Sequence, residues 1–531
     1  MLRVAVVGSG PAGLYTAEAL VKQAAVLPTP VTIKVDVLDR LPTPYGLVRY
    51  GVAPDHKSIK SVANYLRRVL ESPGVTFVGG VHFGTDVTRE DLLRAYDAVV
   101  YATGAMRDRR LAIPGEDLPG SHAATDFVNW YCGHPDVDPG AFALDAESAA
   151  VIGVGNVAVD VARILARDPA ELEETDIPEP VMAALRASKV REVHVIGRRG
   201  PAQAKFTTKE LRELGELPGV HVSAHPAELD LTEGYDRSGE SAELAASDRR
   251  VRGNLVAMAG WGAAAAGAEL ARPEPVGGAR RLRIRFWLRP AEIQESTSGT
   301  VAGLRLERTR LTASGEFEGT GEFETVEAQL VLRSVGYQSV PLPGVPFDTR
   351  THTVPNAHGR VLSGTGEPLP GEYVAGWLKR GPTGVIGTNK ADAADTVQAL
   401  LADLAGGPDV GEGKLPRPGL LPIPSRPRPE SDELPEPDEP AGGAVARSAL
   451  AQVLTDRGVA PVSYADWLRI SAAEEDLAAS LGRGDRVKLP GSDAIWSAAR
   501  PDSRLRGLSR GESVPHRGPL ADGLAIMDHC P

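Results

Sequence analysis

A glycine-rich turn near the start of the chain is the first pattern that suggests chemistry. Gly8, Gly10 and Gly13 form a G-x-G-x-x-G pattern after the apolar run Arg3–Val7, and a helix is predicted over Pro11–Gln23. In such a turn the first glycine permits a tight bend, the second admits a pyrophosphate, and the third lets the helix pack against the strand. The free N–H groups of the helix end then bind the anion. A tight turn without a ligand is the alternative.

A second turn of the same kind follows the predicted strand Glu147–Ile152. Gly153, Gly155 and Ala158 give G-x-G-x-x-A, and a helix is predicted over Val157–Ala166. Two phosphate-binding turns in one chain indicate two dinucleotides.

The strands that follow the two turns end in residues of opposite charge. The strand predicted at Thr32–Leu38 ends at Asp39, whose carboxylate can accept hydrogen bonds from a ribose hydroxyl pair. The strand predicted at Glu192–Ile196 is followed instead by Arg198 and Arg199, whose guanidinium groups can bind a 2′-phosphate. This difference favours NADP(H) at the second turn and FAD at the first, because a hydride needs an acceptor. A plain turn aspartate and a solvated arginine pair remain the alternatives.

A third glycine-rich element spans residues 371–391 and precedes a helix predicted over 389–404. Trp377 is expected to pack close to a flavin there, whereas an ordinary loop with a core tryptophan is the alternative. The backbone N–H groups predicted to face the flavin pyrimidine edge are those of Gly384, Val385 and Ile386. Two further buried strands, predicted over 96–105 and 328–337, would carry the chain across a domain junction.

Length and composition limit the possible classes of protein. A chain of 531 residues is too long for one core, and 42% hydrophobic with 24% charged residues is ordinary for a globular protein. The net charge of −12 argues against general nucleic-acid binding. Cys132 and Cys530 are the two cysteines, too few and too far apart for a CxxC redox pair, a four-cysteine metal site or an iron–sulfur cluster. No window is apolar enough to span a membrane, and the absence of a leader pattern predicts a cytoplasmic location.

Several longer motifs make the chain resemble the adrenodoxin-reductase-like ferredoxin–NADP+ reductases, and most closely their actinobacterial members. The segments that carry this resemblance are VAVVGSGPAGLYTAEAL, LPTPYGLVRYGVAPDH, VIGVGNVAVDVAR, VIGRRGP, FTTKELREL, LRSVGY and GWLKRGPTGVIGTNK. The resemblance implies an α/β fold with two Rossmann-like dinucleotide-binding domains, in which the NADP domain is inserted in a discontinuous FAD domain. It also implies an enzyme that passes electrons from NADPH through FAD to a ferredoxin.

The resemblance also implies which residues contact the two cofactors. For FAD, beyond Gly8, Gly10 and Gly13, these are Ala12, Asp39, Leu47, Val81, Trp377, Gly384, Val385 and Ile386. For NADP(H) they are Arg109, Gly155, Asn156, Val157, Ala158, Arg198, Arg199 and Glu210, with Gly384 near the nicotinamide. The family often has a glutamate where this chain has Asp39, so the shorter side chain changes the reach of the ribose contact.

A catalytic group is implied around His56, which follows the segment YGLVRYGVA. The resemblance places this histidine close to the flavin, with Asp160 and Glu213 as its neighbours. Hydride transfer needs no general base at carbon, so the expected roles are to orient the nicotinamide and to tune the flavin potential. A structural histidine is the alternative for His56 taken alone.

The predicted organisation divides the FAD domain around an insertion. The segments are 1–108 and 368–405 for FAD binding, 109–367 for NADP binding, 406–443 for a proline-rich acidic linker, 444–500 for a C-terminal helical part of the FAD domain, and 501–531 for a tail. Helices are predicted over 445–457 and 464–481.

A basic docking patch is predicted for the acidic ferredoxin partner. The cations proposed for it are Lys57, Lys60, Lys379 and Arg380, with Arg67 and Arg68 on the same predicted helix as the first two. A solvated helix face is the alternative for each of them.

Three alternative functions are considered for the same sequence features. A disulfide reductase shares the two-dinucleotide plan, but the chain has no CxxC pair. An oxidase or diaphorase without a ferredoxin partner, and a nucleotide-binding regulator, are the other two.

Overall fold

The structure is a computed structural model that describes residues 1–28, 30–231, 234–268, 279–404 and 449–500. The predicted linker 406–443 and tail 501–531 therefore lie outside the described residues, as does the start of the helix predicted over 445–457.

The described residues form eighteen strands and sixteen α-helices. The strands are β1 Leu2–Val7, β2 Ile33–Leu38, β3 Val75–Val78, β4 Ala98–Tyr101, β5 Arg107–Asp108, β6 Ser121–Ala123, β7 Ser148–Ile152, β8 Glu192–Ile196, β9 Val220–Ala224, β10 Arg280–Arg285, β11 Leu288–Glu295, β12 Val301–Leu311, β13 Phe317–Glu327, β14 Leu330–Arg333, β15 Tyr337–Gln338, β16 Asn356–Ala357, β17 Arg360–Leu362 and β18 Pro368–Val374. The helices are α1 Pro11–Ala25, α2 Leu47–Tyr50, α3 Lys57–Lys60, α4 Val62–Leu70, α5 Arg89–Ala95, α6 Ala124–Tyr131, α7 Asn156–Ala166, α8 Glu179–Arg186, α9 Thr208–Gly215, α10 Glu240–Ser247, α11 Arg249–Ala268, α12 Trp377–Arg380, α13 Thr388–Leu404, α14 Ala449–Asp456, α15 Tyr464–Leu481 and α16 Gly491–Ala499.

The first sheet has seven strands in the order β16-β17-β18-β4-β1-β2-β3. Its five strands from β18 to β3 are parallel, and β17 and β16 extend it as antiparallel strands. The central strands β1 and β4 are nearly continuous apolar runs, as expected where helices cover both faces of a sheet. Helices α1 and α13 pack against each other beside this sheet.

The second sheet has six parallel strands in the order β6-β14-β7-β8-β10-β9. An antiparallel three-stranded sheet, β11-β12-β13, packs beside it through a shared core. The chain enters this unit after β4 and returns for β16, so one unit is inserted in the other. This architecture confirms the predicted α/β plan of two dinucleotide-binding units.

A short antiparallel ribbon accompanies the two crossings between the sheets. Strand β15 pairs with β5, with Tyr337 opposite Asp108 and Gln338 opposite Arg107. The crossing strands predicted over 96–105 and 328–337 are therefore each divided, into β4 and β5 and into β14 and β15. A glycine interrupts each run, because Gly104 and Gly336 adopt positive φ angles of 75° and 108°.

Several predicted elements agree closely with the structure. Strand β8 and helix α15 have the predicted bounds, and α1 extends two residues beyond its predicted end. The predicted boundary at residue 367 differs from the observed sheet, since β16 and β17 lie before it and yet pair into the first sheet. These are hairpin strands of two and three residues, too short to show a sequence periodicity.

The C-terminal helices pack on the first unit. Trp467 and Ile470 of α15 and Ile495 of α16 share a core with Val4 and Val35 of the first sheet. Among the described helices, none combines the length and the apolar character needed to cross a membrane.

Candidate functional site: two glycine turns and a buried ionic cluster

The first glycine turn has no room for a side chain at Gly8 or Gly13. Gly8 follows β1 with a φ of +115°, and a Cβ there would lie 2.5 Å from the carbonyl oxygen of Ala102. A Cβ at Gly13 would lie 1.8 Å from the carbonyl oxygen of Gly8. Gly10 is the N-cap of α1 and no side chain caps the helix, so its first N–H groups remain available to an anion.

Other backbone segments close over this turn. A Cβ at Gly46 would lie 2.9 Å from the Cα of Gly10, and one at Gly376 would lie 2.4 Å from the Cβ of Ala12. Gly46 is the N-cap of α2, so Leu47 begins a second short helix beside the first turn. Together these contacts form a narrow cradle that fits the pyrophosphate of a dinucleotide.

Asp39 connects the first turn to the end of β2. Its Oδ2 accepts hydrogen bonds from the Ser9 backbone N–H at 2.9 Å and the Ser9 hydroxyl at 2.6 Å, and its Oδ1 accepts from the Leu41 N–H at 2.9 Å. A carboxylate offers about four acceptor positions, so these bonds leave room for a ribose hydroxyl. The buried Val81 lies beside this residue, with its N–H donating to the Asp39 carbonyl at 2.9 Å.

The third glycine element abuts the first turn through Gly376. Trp377 opens α12, and its ring is tilted by 33° against that of Tyr337, with the ring centroids 5.6 Å apart. Its Nε1 donates to the Thr383 carbonyl at 3.1 Å. Of the three N–H groups predicted to face the flavin, that of Val385 donates to the Thr388 hydroxyl at 3.2 Å. Within the described chain, the N–H groups of Gly384 and Ile386 make no hydrogen bond and stay available.

The second glycine turn has the same backbone form but a more open surround. Gly153 has a φ of +136°, and a Cβ there would lie 2.1 Å from the Ser334 carbonyl oxygen. Gly155 caps α7 without a side-chain partner, and a Cβ there would meet nothing within 4 Å. Asn156 accepts the Thr207 N–H at 2.9 Å, which fixes the loop before α9 to the turn. Next along α7, Val157 is half-buried and Ala158 is fully buried, which brings the helix close to the sheet.

The arginines after β8 have no carboxylate partner among the described residues. Arg198 is exposed, and the guanidinium of Arg199 lies 4.7 Å from the ring centroid of Phe317. Arg109 is also exposed, and its N–H donates to the Gly336 carbonyl at 2.9 Å next to the crossing ribbon. Uncommitted guanidinium groups suit a phosphate ligand, because ion pairs inside the protein would compete with it.

His56 and Asp160 are brought together by the packing of the two units. The Nε2 atom of His56, on the loop before α3, lies 2.9 Å from Oδ1 of Asp160 on α7. Both residues are largely enclosed, with 8% and 13% of their side chains exposed. Burial disfavours the charged imidazole, but the hydrogen bond and negative charge of Asp160 prevail and raise the pKa of His56.

Glu210 of α9 lies close enough to this pair to interact with both of its members. Burial and the nearby Asp160 carboxylate raise the pKa of Glu210, and His56 also acts on it. Glu213 is one turn further along α9, a third exposed, with its carboxylate 3.6 Å from the Lys209 ammonium. That Glu213 neighbours His56 stays a prediction, whereas the pKa of Glu210, one turn earlier on α9, already responds to Asp160 and His56.

Sequence reasoning missed two members of this cluster. Arg163 on α7 is 1% exposed, and its guanidinium binds both oxygens of Asp55, at 2.6 and 3.0 Å. It also approaches Asp160 Oδ1 and His56 Nε2, each at 2.8 Å. The available signal was an arginine on the apolar face of a helix, three residues after Asp160, where burial demands a partner.

Comparisons with known proteins bear on this geometry. The pyridine nucleotide-disulphide oxidoreductase family matches residues 2–216. The NADPH-ferredoxin reductase FprA of Mycobacterium tuberculosis H37Rv is 46% identical over 416 residues, which cover 77% of this chain and 86% of that protein. The mitochondrial NADPH:adrenodoxin oxidoreductase of Homo sapiens is 40% identical, over 91% of this chain and 88% of that protein.

The chain belongs to the adrenodoxin-reductase-like ferredoxin–NADP+ reductase family. The resemblance stated from the motifs is thereby confirmed. A solved structure of Mycobacterium tuberculosis FprA in complex with NADPH is 39% identical, covers 94% of this chain and 99% of that one, and superposes with a TM-score of 0.76. The fold of this reductase family therefore extends over the sheets and the C-terminal helices of the chain.

Proposed function

We propose that this chain is an FAD-dependent reductase that passes electrons from NADPH to a ferredoxin. Bound FAD would supply the chemistry that links a two-electron hydride donor, NADPH, to a one-electron iron–sulfur acceptor. The observation that carries the proposal is the pair of glycine-cradled helix ends without a side-chain cap, one beside a carboxylate and one beside two arginines that have no carboxylate partner among the described residues. Membership of the reductase family supports the same reaction.

The chain's own residues would bind, orient and shield the two cofactors. The first turn would hold the FAD pyrophosphate on the N–H groups of α1, and Asp39 would accept a ribose hydroxyl. The second turn would hold the NADPH pyrophosphate, while Arg198 and Arg199 would bind its 2′-phosphate. Trp377 and the free N–H groups of the third element would meet the ring system.

The ionic cluster would provide orientation and electrostatics. His56 and Asp160 are an enclosed, hydrogen-bonded pair, and the carboxylates of Asp55 and Glu210 also interact with His56. Positioning groups of this kind lower the barrier by fixing the donor and acceptor rings at a reactive distance. A role for Glu213 stays a prediction, and its one-third exposure suits contact with a bound nucleotide.

The proposal includes a docking surface for ferredoxin, but with fewer cations than the sequence predicted. Lys57 is exposed at the start of α3, and Arg68 is exposed on α4. Lys60 instead pairs with Asp176 at 2.8 Å, and Lys379 donates to the Thr396 hydroxyl at 3.0 Å. Arg380 likewise donates to Asn389 Oδ1 at 2.8 Å. Of the four cations first predicted, only Lys57 combines exposure with freedom from an internal partner among the described residues.

A cytoplasmic location is part of the same proposal. The chain has two cysteines, and Cys132 is a free, buried thiol, which suits a reducing compartment.

The test is a comparison of acceptors and donors with the purified protein. The protein should be yellow, and NADPH should bleach the flavin far faster than NADH. Cytochrome c should then be reduced only when a ferredoxin is added. Equal reduction without ferredoxin would favour the oxidase or diaphorase alternative, and a colourless protein would favour a regulator.

A further inference from the structure

The guanidinium of Arg163 is the most heavily committed group in the buried cluster. Its Nε donates to Asp55 Oδ2 at 2.6 Å. Its Nη2 lies within hydrogen-bonding distance of three atoms, Asp55 Oδ1 at 3.0 Å, Asp160 Oδ1 at 2.8 Å and His56 Nε2 at 2.8 Å. The same His56 nitrogen lies 2.9 Å from Asp160 Oδ1.

The protons in this arrangement can be counted. Nη2 carries two hydrogens and has no lone pair to offer, so it can serve two acceptors fully. If His56 Nε2 lacks a proton, three acceptors compete for those two hydrogens, and Asp160 receives nothing from the imidazole. If Nε2 carries the proton, His56 donates to Asp160, and the two Nη2 hydrogens go to Asp55 and Asp160. Only the second assignment leaves no unsatisfied acceptor in a buried site, where such a group is costly.

We propose that Arg163 is a positioning residue that keeps the Nε2 atom of His56 protonated and leaves Nδ1 as the atom that exchanges a proton with water. Asp55 holds the guanidinium plane by a two-point contact, and the guanidinium in turn holds the Asp160 oxygen that receives the Nε2 proton. Arg163 therefore acts through His56 and Asp160 and needs no contact with a substrate.

The Nδ1 atom is suited to this exchange. It makes no hydrogen bond to any described residue. It is not one of the fully buried polar atoms that lack a partner, so water can reach it. The ring can therefore gain a proton from water at Nδ1, and lose it again, without breaking its bond to Asp160. The orientation of the imidazole is the same in both charge states.

The charged groups facing His56 are Asp55 on its own loop, Asp160 and Arg163 on α7, and Glu210 on α9. The two aspartates favour the charged ring, while burial and the positive charge of Arg163 oppose it. Burial, and after it the negative charge of Asp160, raises the pKa of Glu210. Removing the Arg163 charge should therefore make His56 easier to protonate.

The first test examines the wild-type protein and needs no change at Arg163. The holoenzyme is labelled with ¹⁵N at the histidine rings, and the signals of His56 are assigned by their loss in His56→Gln. Above the His56 titration, the ring should be neutral with its hydrogen on Nε2. A neutral ring with its hydrogen on Nδ1 would overturn the proposal, whatever the variants do.

The second test measures the His56 titration in Arg163→Gln. The midpoint should move upward by about one pH unit, as expected when a neighbouring like charge is removed. Arg163→Lys keeps the charge and should leave the midpoint nearer to that of the wild type. Arg483→Gln is a matched control, because Arg483 is 7% exposed and paired with Glu179 at 2.9 Å outside this cluster. An unchanged midpoint in Arg163→Gln, or an equal shift in the control, would overturn the proposal.

The inference deepens the proposed function, yet its failure can be told apart from the failure of that function. The titration is measured without NADPH or ferredoxin, so it stands even if the acceptor is not a ferredoxin. With NADPH and ferricyanide, the pH profile of kcat in Arg163→Gln should move in the same direction as the titration, with little change in KM. A profile that stays in place while the titration moves would overturn the role in turnover.

Discussion

The two glycine turns share one backbone geometry and differ in their surroundings. Around the first, Gly46 and Gly376 bring other segments within van der Waals contact of Gly10 and Ala12. Around the second, the space above Gly155 is open. This difference supports the proposal that the first turn encloses a resident cofactor and that the second binds and releases a substrate nucleotide. The same local motif therefore serves different purposes because of the segments that the fold places over it.

The charged residues beside the two turns also differ in how far they are already bound to other parts of the protein. The Asp39 carboxylate is already bound to Ser9 and Leu41, and so contributes to the structure before any ligand arrives. Arg198 and Arg199 have no carboxylate partner among the described residues, so their charges remain available to a ligand. A fixed acceptor and two uncommitted donors match a resident and an exchanging dinucleotide.

The largest expected effect is on the enclosed turn. Gly13→Val should abolish FAD binding, because its Cβ alone would lie 1.8 Å from the Gly8 carbonyl oxygen. Gly155→Ala should remain yellow and folded, since a Cβ there meets nothing within 4 Å, and should only weaken NADPH binding. Flavin absorbance and circular dichroism of both purified variants give the comparison. A yellow Gly13→Val protein with a native spectrum would contradict the enclosed cradle.

The next largest effect is expected at the buried ion pair between Asp55 and Arg163, which joins the two units. Asp55→Asn leaves Asp160 as the one carboxylate that is hydrogen-bonded to the buried Arg163 guanidinium. The substitution should therefore destabilise the protein at pH 7 by about 3–5 kcal/mol. Burial alone would raise the pKa of Asp55, but Arg163 holds it below its ordinary value. The stabilisation is therefore present above about pH 4 and lost as the pH falls through the lower folded pKa. Urea unfolding should thus give a difference in the free energy of unfolding between wild type and variant that is largest at pH 7 and becomes smaller towards pH 3.

A surface ion pair provides the control for this difference in the free energy of unfolding. Asp145 is 68% exposed and lies 2.7 Å from the Lys189 ammonium. Asp145→Asn should change the unfolding free energy by less than about 1 kcal/mol at either pH. A difference for Asp55→Asn that stays constant from pH 7 to pH 3 would exclude the carboxylate charge as its source.

A smaller effect is expected at the open turn. Arg198→Ala and Arg199→Ala should each raise the KM for NADPH roughly tenfold to a hundredfold, because a hydrogen bond to a charged group contributes about 1.5–3 kcal/mol. The KM for NADH should not change, since NADH lacks the 2′-phosphate. Arg191→Ala removes an exposed arginine at the opposite end of β8 and serves as control. Equal losses with NADPH and NADH would place the arginines outside the 2′-phosphate site.

The smallest effect is expected at the docking surface. Lys57→Glu should slow ferredoxin-dependent reduction of cytochrome c about two- to fivefold at low salt, and the difference should shrink as salt rises. NADPH-dependent reduction of ferricyanide should be unaffected, because a small acceptor needs no basic patch. Lys34→Glu, at an exposed position on β2, provides the control. A parallel loss with ferricyanide would remove Lys57 from the docking surface.

Much of the fold could be predicted from short-range patterns. The spacing of Gly8, Gly10 and Gly13 required a strand, a turn and a helix in sequence, and the structure has β1 and α1 there. The contrast between Asp39 and Arg198 was also visible, because charge at a strand end depends on the residue alone. The long motifs extended these observations to a family.

The composition of the buried cluster could not be predicted in the same way. Asp55 and Arg163 are 108 residues apart and meet only because α7 of one unit packs against the loop before α3 of the other. Glu210 and Glu213 lie three residues apart and share a helix face, so spacing could not decide which one is inward. Lys60 and Lys379 resemble exposed docking cations in the sequence, yet each binds an internal partner.

The sequence by itself determined the two anion-binding turns, the charge beside each, and the order in which strands and helices follow one another. These depend on backbone conformation and residue type within a few positions. The tertiary structure alone decided which turn is enclosed, which glutamate of α9 is buried, and which cations remain free. Those outcomes depend on contacts between distant segments, where burial obliges each charged group to find a partner.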